Sequence, residues 1–375
     1  MLTALTLDIS LKPKPETVIY SMTLSKFLKP AISFIRLTAA LLTVAVTWPA
    51  LHAEDLSGSS PAYNFLNVTS SSRIYGLGGV NITLPDPDNI FSIDQNPALL
   101  GPEFDMQIGV SYMHYLGDSN FAALRFGNSA GERGAWTAAI NYFGYGSMTT
   151  ADENGIVTGS YSPKDITFSG GYTHDLSDRW RGGFAIKLAH SSYGDYSAMA
   201  LCTDLGLNYY DPDRDLSFSL VVANLGGQIK RLNDSYDRLP IDVRLGWSKR
   251  FGTLPIRWSV TAWNLTRWHL PFYDLKDTDA GSQTVIKDSF GSNFMRHLVF
   301  AADFVPSDKF YAGIGYNYKT RTDMATYSRN FLSGFSLCAG INLSNFGIGL
   351  AFSQPHSGAT TLMVNFNANL YSLTH

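Results

Sequence analysis

The chain has 375 residues, of which 16% are charged and 13% aromatic, and its formal net charge at pH 7 is −3. Ordinary soluble domains carry about 25% charged residues, so this composition is unusual for one of them. Lys and Arg are scattered and form no basic stripe, which argues against a nucleic-acid-binding protein.

The first 53 residues have the pattern of an export leader. An apolar run at residues 37–48 follows the basic residues Lys26, Lys29 and Arg36, and the small residue Ala53 stands five positions after it, before Glu54. A basic flank, a short apolar core and a small terminal residue are typical of a secretory signal peptide, and the run is short for a membrane-spanning helix. We predict a leader over residues 1–53 that is cleaved after Ala53, with Met22 favoured as the true start.

Residues 54–103 carry turn formers and short apolar patches without a sustained period. A segment of this kind must pack against something else, and ahead of a barrel we predict that it is a plug, or hatch, against the lumen wall. The residues that we assign to this plug are Arg73, Leu77, Gly78, Gly79, Asn96, Pro97 and Ala98. For Arg73 the sequence leaves open a buried ion pair with the wall or a solvated charge.

From Phe104 to the chain end, apolar and polar residues alternate in segments of about ten residues. Leu362, Val364 and Phe366, for example, alternate with Thr361, Asn365 and Asn367. This period and this length are typical of tilted strands that cross a bilayer with one face toward lipid. We therefore predict an all-β fold, a transmembrane antiparallel β-barrel of about 14 strands over residues 104–375. The predicted strands lie near 104–115, 119–128, 133–144, 165–176, 180–192, 198–210, 215–226, 239–251, 255–267, 294–305, 308–319, 332–344, 345–354 and 360–371.

The inward positions favour a filled barrel over an open pore. They are mostly small residues, with dispersed charges at Lys187, Asp204, Asp242, Arg244 and Arg257, whereas an ion-selective pore is expected to carry rings of like charge. Cys202 and Cys338 share the inward face but lie many strands apart, so we expect no disulfide. No Cys/His spacing indicates a metal site, and we predict neither metal nor cofactor.

His190 and Ser192 lie two positions apart on the lipid-facing side of a predicted strand. Lipid A deacylases with a barrel fold use a similar pair, and this leaves a lipid-modifying enzyme as one alternative. Because a His two residues from a Ser is frequent by chance, we predict a protein that is not an enzyme.

Several motifs, taken together in order, resemble the PorQ family of the type IX secretion system. They are Tyr63-Asn64-Phe65-Leu66, Ser72-Arg73, Leu77-Gly78-Gly79, Asn96-Pro97-Ala98-Leu99-Leu100, Phe143-Gly144-Tyr145-Gly146 with Asp152-Glu153-Asn154-Gly155, and Lys187. The resemblance runs from the end of the signal peptide to the C-terminus. PorQ proteins are similar to PorV proteins, and both are similar to the FadL transporters of hydrophobic compounds.

The resemblance implies a fourteen-stranded barrel in the outer membrane of a Bacteroidetes-type bacterium. It also implies a non-catalytic component of a cell-surface attachment complex, in which secreted cargo is cleaved and joined to lipopolysaccharide. The implied partners are outer-membrane lipids, a PorZ-like surface protein, and PorU-like and PorV-like components. A FadL-like transporter of hydrophobic small molecules remains the alternative with the same fold.

Long loops are where barrels meet partners, and two polar stretches are candidates for such contacts. One is the stretch from Tyr273 to Asn293, and the other runs from Gln228 to Arg238. We hypothesise that one of them forms the docking surface for a surface protein.

Overall fold

The computed structural model describes residues 62–371, except 85, 88, 153, 233–235, 252–253, 271–272, 275–283, 286–288, 324–330, 344 and 357–358. The predicted leader and residues 54–61 of the predicted plug lie outside the described residues. No helix within the described part of the chain is long and apolar enough to cross a membrane.

Fourteen antiparallel strands of the described chain form a closed barrel. The strands are β1 (Gln107–His114), β2 (Asn120–Ser129), β3 (Gly134–Gly144), β4 (Lys164–Asp175), β5 (Trp180–Tyr193), β6 (Tyr196–Asp211), β7 (Leu216–Lys230), β8 (Asp242–Arg250), β9 (Ile256–Ala262), β10 (Leu298–Ser307), β11 (Phe310–Asn317), β12 (Phe335–Asn342), β13 (Phe346–His356) and β14 (Ala359–Asn369). Each strand pairs with its neighbour in the chain, and the barrel closes because β1 pairs with both β2 and β14. The predicted fold class and strand count are confirmed.

The strand boundaries differ most from the prediction around β9 and β10. The strand predicted to run to residue 267 ends at Ala262, and Asn264 adopts a left-handed conformation with φ of 56° that turns the chain away. The strand predicted from residue 294 begins at Leu298, because a helix, α2 (Phe290–Arg296), precedes it. A two-stranded hairpin outside the barrel, Met148–Ala151 with Val157–Tyr161, was not predicted.

The two ends of the barrel differ in the length of their connections. At one end, which also holds the start of β1 and the end of β14, the connections are residues 130–133, 176–179, 212–215, 251–255, 308–309 and 343–345. The other end carries the longer connections at residues 145–163, 231–241, 263–297 and 318–334. Short turns are periplasmic and long loops extracellular in outer-membrane barrels, so we name the two ends accordingly.

The outer surface is apolar and the interior is polar, as the alternation predicts. On β14, Leu362, Val364 and Phe366 are exposed while Thr361 and Asn365 are buried. A barrel leaves no backbone group unpaired at a sheet edge, and an apolar outer wall around a polar interior suits a hydrocarbon environment. The fold therefore defines a transmembrane barrel of the outer-membrane type.

Short helical elements make up the segment before β1. The helix α1 (Ser72–Gly76) is preceded by the 3₁₀ turn Asn64–Asn67 and followed by the turns Ile90–Ile93, Pro97–Leu99 and Pro102–Phe104. Ser71 caps α1, because its hydroxyl accepts a hydrogen bond from the Ile74 amide at 3.2 Å. Gly78 and Gly79 end it with φ values of 97° and 81°, a conformation that glycine adopts readily.

Candidate functional site

The described N-terminal residues 62–106, which we call the plug, lie inside the barrel against its inward-facing side chains. Plug groups form hydrogen bonds with residues on four separated strands. The Ser70 carbonyl oxygen accepts from Asn365 (2.8 Å), the Gly78 amide donates to Ser336 (2.9 Å), Asn81 donates to Ser259 (3.0 Å) and Asn96 donates to Ser219 (3.1 Å). The plug is therefore attached on several sides of the lumen.

Small wall residues make room for the plug. A Cβ atom on Gly183 would lie 2.8 Å from the main chain of Pro97, one on Gly246 would lie 2.6 Å from the Ile82 side chain, and one on Gly313 would lie 2.7 Å from the Leu77 side chain. Real Cβ atoms do not approach other atoms so closely. This geometry gives the physical reason for the small inward residues seen in the sequence.

Arg73 is buried in an ion-pair cluster that joins the plug to the wall. Its guanidinium lies 2.5 Å from the carboxylate of Asp303 on β10 and 2.9 Å from that of Asp86 in the plug. The same group lies over the ring of Tyr311 on β11, 4.1 Å from its centroid. Of the two interpretations that the sequence left open, the structure places Arg73 in the buried ion pair and not in solvent.

The two predicted plug motifs lie side by side. Asn96 caps the turn of Pro97 and Ala98, accepting from the Ala98 amide at 2.9 Å and donating to the Ile82 carbonyl oxygen at 2.8 Å. Gln95, which sequence reasoning missed, links this turn to the glycine turn because its side chain donates to the Gly79 carbonyl oxygen at 2.7 Å.

Sequence reasoning also missed a second plug-to-wall ion pair. Arg125 on β2 lies 2.7 Å from Asp94 of the plug, and Asp94 also accepts from the amide and hydroxyl of Ser70 at 2.8 and 2.7 Å. Both Arg125 and Asp303 are charged residues at inward positions of predicted strands. That signal could have identified the wall partners, although not the plug residue that each one binds.

A third attachment lies at the periplasmic end, where the plug leads into β1. Arg181 on β5 lies 2.8 Å from Glu103 of the plug and 2.5 Å from Asp175 on β4. This cluster is partly exposed and borders a periplasmic vestibule of about 580 Å³ with many charged residues in its wall.

An extracellular vestibule of about 480 Å³ lies on the opposite side of the plug. The glycine turn of Gly78 and Gly79 forms part of its floor, and aromatic and apolar residues surround it together with charged groups of the loops. The aromatic and apolar lining residues include Tyr75, Val80, Tyr115, Trp263 and Leu270. The indole N–H of Trp263 is buried and has no hydrogen-bond partner among the described residues.

Gln228 and Arg238, at the two ends of one predicted docking stretch, contact the start of the plug. Gln228 donates to the Tyr63 hydroxyl at 3.0 Å, and the Arg238 carbonyl oxygen accepts from the Ala62 amide at 3.0 Å. Both ends of this stretch therefore contact the plug, which leaves less of it for a partner. The other predicted docking stretch, residues 273–293, lies largely outside the described residues.

His190 and Ser192 lie on the outward face of β5, and both residues are half-buried. Ser191 between them and Ala189 before them are buried on the inner face. The nearby carboxylate of Asp165 faces inward and accepts hydrogen bonds from Tyr145 (2.5 Å) and Tyr193 (3.1 Å). The structure therefore does not bring this carboxylate to the outer face beside His190 and Ser192.

Comparison with known proteins gives structural likeness only. No family model and no curated protein matches the chain. Among solved structures, the Ralstonia pickettii toluene transporter TbuX is 12% identical with a TM-score of 0.49, over 81% of this chain and 99% of that one. A Pseudomonas aeruginosa FadL homologue is 11% identical with a TM-score of 0.46, over 80% and 98%. The Pseudomonas putida toluene transporter TodX is 11% identical with a TM-score of 0.45, over 80% and 97%.

These identities and TM-scores are low, so the class of the protein rests on its own strand pairing and faces. It is a closed fourteen-stranded β-barrel of the outer-membrane type whose lumen holds the described N-terminal residues.

Proposed function

We propose that this barrel is a FadL-like conduit in the outer membrane, which binds a hydrophobic small molecule in its extracellular vestibule. The observation that carries the proposal is the vestibule itself. Its volume of about 480 Å³ falls in the range of small-molecule sites, roughly 300–1,000 Å³. The aromatic rings of Tyr75, Tyr115 and Trp263 line it.

The plug would control passage in this proposal. A molecule in the extracellular vestibule meets the turn of Gly78 and Gly79, and the periplasmic vestibule lies beyond the rest of the plug. Transfer therefore needs a displacement of plug residues. Export through a cleaved signal peptide is part of the same proposal.

Ligand binding to the purified full-length barrel tests the conduit function. Retention of palmitate and of toluene would be measured by equilibrium dialysis in a mild detergent. We expect Trp263→Ala to weaken binding about tenfold or more, because a buried aromatic side chain contributes roughly 1.5–3 kcal/mol. Trp136→Ala is the matched control, since Trp136 is exposed on the outer wall. Equal loss in both variants, or no binding by the unmodified protein, would contradict the proposal.

A second candidate is a non-catalytic type IX secretion component that anchors a PorZ-like surface protein beside PorU-like and PorV-like components. Two observations favour it. The plug is held by the buried Arg73 and Arg125 ion pairs, as suits a permanently filled barrel. Asp152, Asn154 and Gly155 of the sequence motif also lie at the tip of the extracellular hairpin, whose Ile156 and Val157 are exposed and available to a partner.

One purification separates the two candidates. The tagged protein would be isolated from its native outer membrane in mild detergent, and all retained proteins and lipids identified by mass spectrometry. A large surface protein in fixed proportion supports the anchor, whereas a barrel recovered alone with a stoichiometric hydrophobic compound supports the conduit. A changed lipid A acyl pattern after His190→Ala would instead support the lipid-modifying alternative, and we expect no change.

A further inference from the structure

The helix α2 has its polar residues inside and its aromatic residues outside, the reverse of a soluble surface helix. Arg296 has 0% exposure and donates to the Leu270 carbonyl oxygen (3.1 Å), to Thr322 (3.1 Å) and to Asp323 (2.8 Å). By contrast, Phe290 is 73% and Phe294 is 43% exposed. Since Leu270 and Asp323 line the extracellular vestibule, the opposite, aromatic face of α2 points away from the lumen.

The aromatic rings of this face are held in place. The ring of Trp268 lies 5.9 Å from that of Phe290 and 6.5 Å from that of Phe294, and it stacks on His297 at 5.1 Å. Both ring nitrogens of His297 lie close to main-chain carbonyl oxygens, at 2.9 Å from Trp263 and 3.0 Å from Trp268. A fixed arrangement of exposed rings distinguishes this surface from a scatter of single apolar residues.

A second group of exposed rings lies at the extracellular ends of β11 and β12. Phe331 is 79% exposed and stacks on Phe335 at 6.2 Å, and Phe335 packs on Tyr316 at 4.8 Å. Phe335 alternates with the inward-facing Ser336 and so belongs to the outer, lipid-facing wall. We name the whole surface the aromatic collar, formed by Trp268, Phe290, Phe294, Met295, Phe331 and Leu332.

The collar lies beside β9, the shortest strand of the barrel, and beside the short strands β11 and β12. The strands β9, β11 and β12 have 7, 8 and 8 residues, whereas β5, β6 and β7 have 14, 16 and 15. A tilted strand needs about 9–11 residues to cross the hydrocarbon core. At about 3.3 Å per residue and 45° tilt, a shortfall of two residues leaves roughly 5 Å of hydrocarbon without a strand to face it.

We propose that the aromatic collar is a lipid-binding surface that extends the outer wall into the outer leaflet, with lipid acyl chains as its partner. The helix α2, with a diameter of about 10–12 Å, is wide enough to fill the shortfall above β9. Aromatic residues are enriched at this level of membrane barrels. Phe331 of the collar stacks on Phe335 of the apolar outer wall, and this continuity with the apolar belt identifies lipid as the occupant. The inference holds for either proposed function.

Site-directed fluorescence tests this placement. Phe290→Cys and Phe331→Cys variants would be labelled with bimane in vesicles of phosphatidylcholine that contain a lipid with a doxyl group near the headgroup end of the acyl chain. The native thiols of Cys202 and Cys338 are buried. The aqueous control is Ile156→Cys on the hairpin, and the lipid control is Leu245→Cys on β8, both at exposed positions.

We expect bimane at positions 290 and 331 to show blue-shifted emission, to lose most of its intensity to the doxyl lipid as at position 245, and to resist aqueous iodide. Iodide quenching as strong as at position 156 would overturn the proposal. Iodide quenching in pure vesicles that disappears in native membranes would also overturn it, because that result assigns the collar to a protein partner. Two independent positions keep the test decisive if one variant fails to fold.

Discussion

Removal of the Arg73 side chain is expected to free the plug without unfolding the barrel. In Arg73→Met the carboxylates of Asp86 and Asp303 remain buried, with side chains only 3% and 4% exposed, and lose the cation between them. Removing one partner of a buried ion pair costs about 3–5 kcal/mol, because the remaining charge is uncompensated. At about 1.4 kcal/mol per factor of ten, the fraction of molecules with a displaced plug should rise roughly 100- to 4,000-fold.

Planar-bilayer recordings measure this change directly. We expect Arg73→Met to show frequent openings that the unmodified protein lacks, while heat modifiability on gels shows that the barrel remains folded. Arg179→Met is the control, since Arg179 at the periplasmic end is half-exposed and such pairs contribute little. Equal conductance in all three proteins would refute the argument that the Arg73 ion pair holds the plug.

Three further predictions follow from the plug-to-wall contacts. Gly206→Val should displace the plug, because a Cβ at this position would collide with Asn96 and lie 3.0 Å from the Ala98 amide. Gly170→Ala is the control and should have no effect, because its Cβ would have no neighbour nearer than 3.9 Å. The sensitivity of the plug to protease would be compared in the two variants. Asn96→Ala should lower stability by about 1–2 kcal/mol through loss of a cap, and an unchanged denaturation midpoint would contradict this. The buried thiols of Cys202 and Cys338 should resist a maleimide polymer until the barrel is denatured, and a mobility shift of the native protein would show that they are accessible.

The barrel could be predicted from sequence because its cause is local. Each strand separates lipid from lumen, and the separation appears as a period of two at Leu362, Val364 and Phe366 without knowledge of any distant residue. The small inward residues likewise indicated a filled lumen, and positions such as Gly183 and Gly313 lie against the plug.

The contacts of the plug could not be predicted in the same way. Arg73 and Asp303 are separated by 230 positions, and alternation shows only that Asp303 faces inward. Nothing local selects Arg73 over another cation as its partner. The helix α2 was missed for a different reason. Its aromatic residues Phe290 and Phe294 are exposed, whereas a surface helix of a soluble protein would bury such residues. The polar residues between them show neither a strand period nor a helix period.

The energy of the plug contacts separates the two proposed functions. Breaking either the Arg73 or the Arg125 ion pair costs about 3–5 kcal/mol, so a conduit opens only if its ligand binds the open state more tightly by that amount. At about 25 cal/mol per Å², this requires roughly 120–200 Å² of newly buried apolar surface, which one aromatic ring or part of an acyl chain can supply. A scaffold needs no open state. Saturating palmitate should therefore accelerate hydrogen exchange of the amides in residues 72–79 if the protein is a conduit, whereas a bound surface protein should leave these amides protected if it is an anchor.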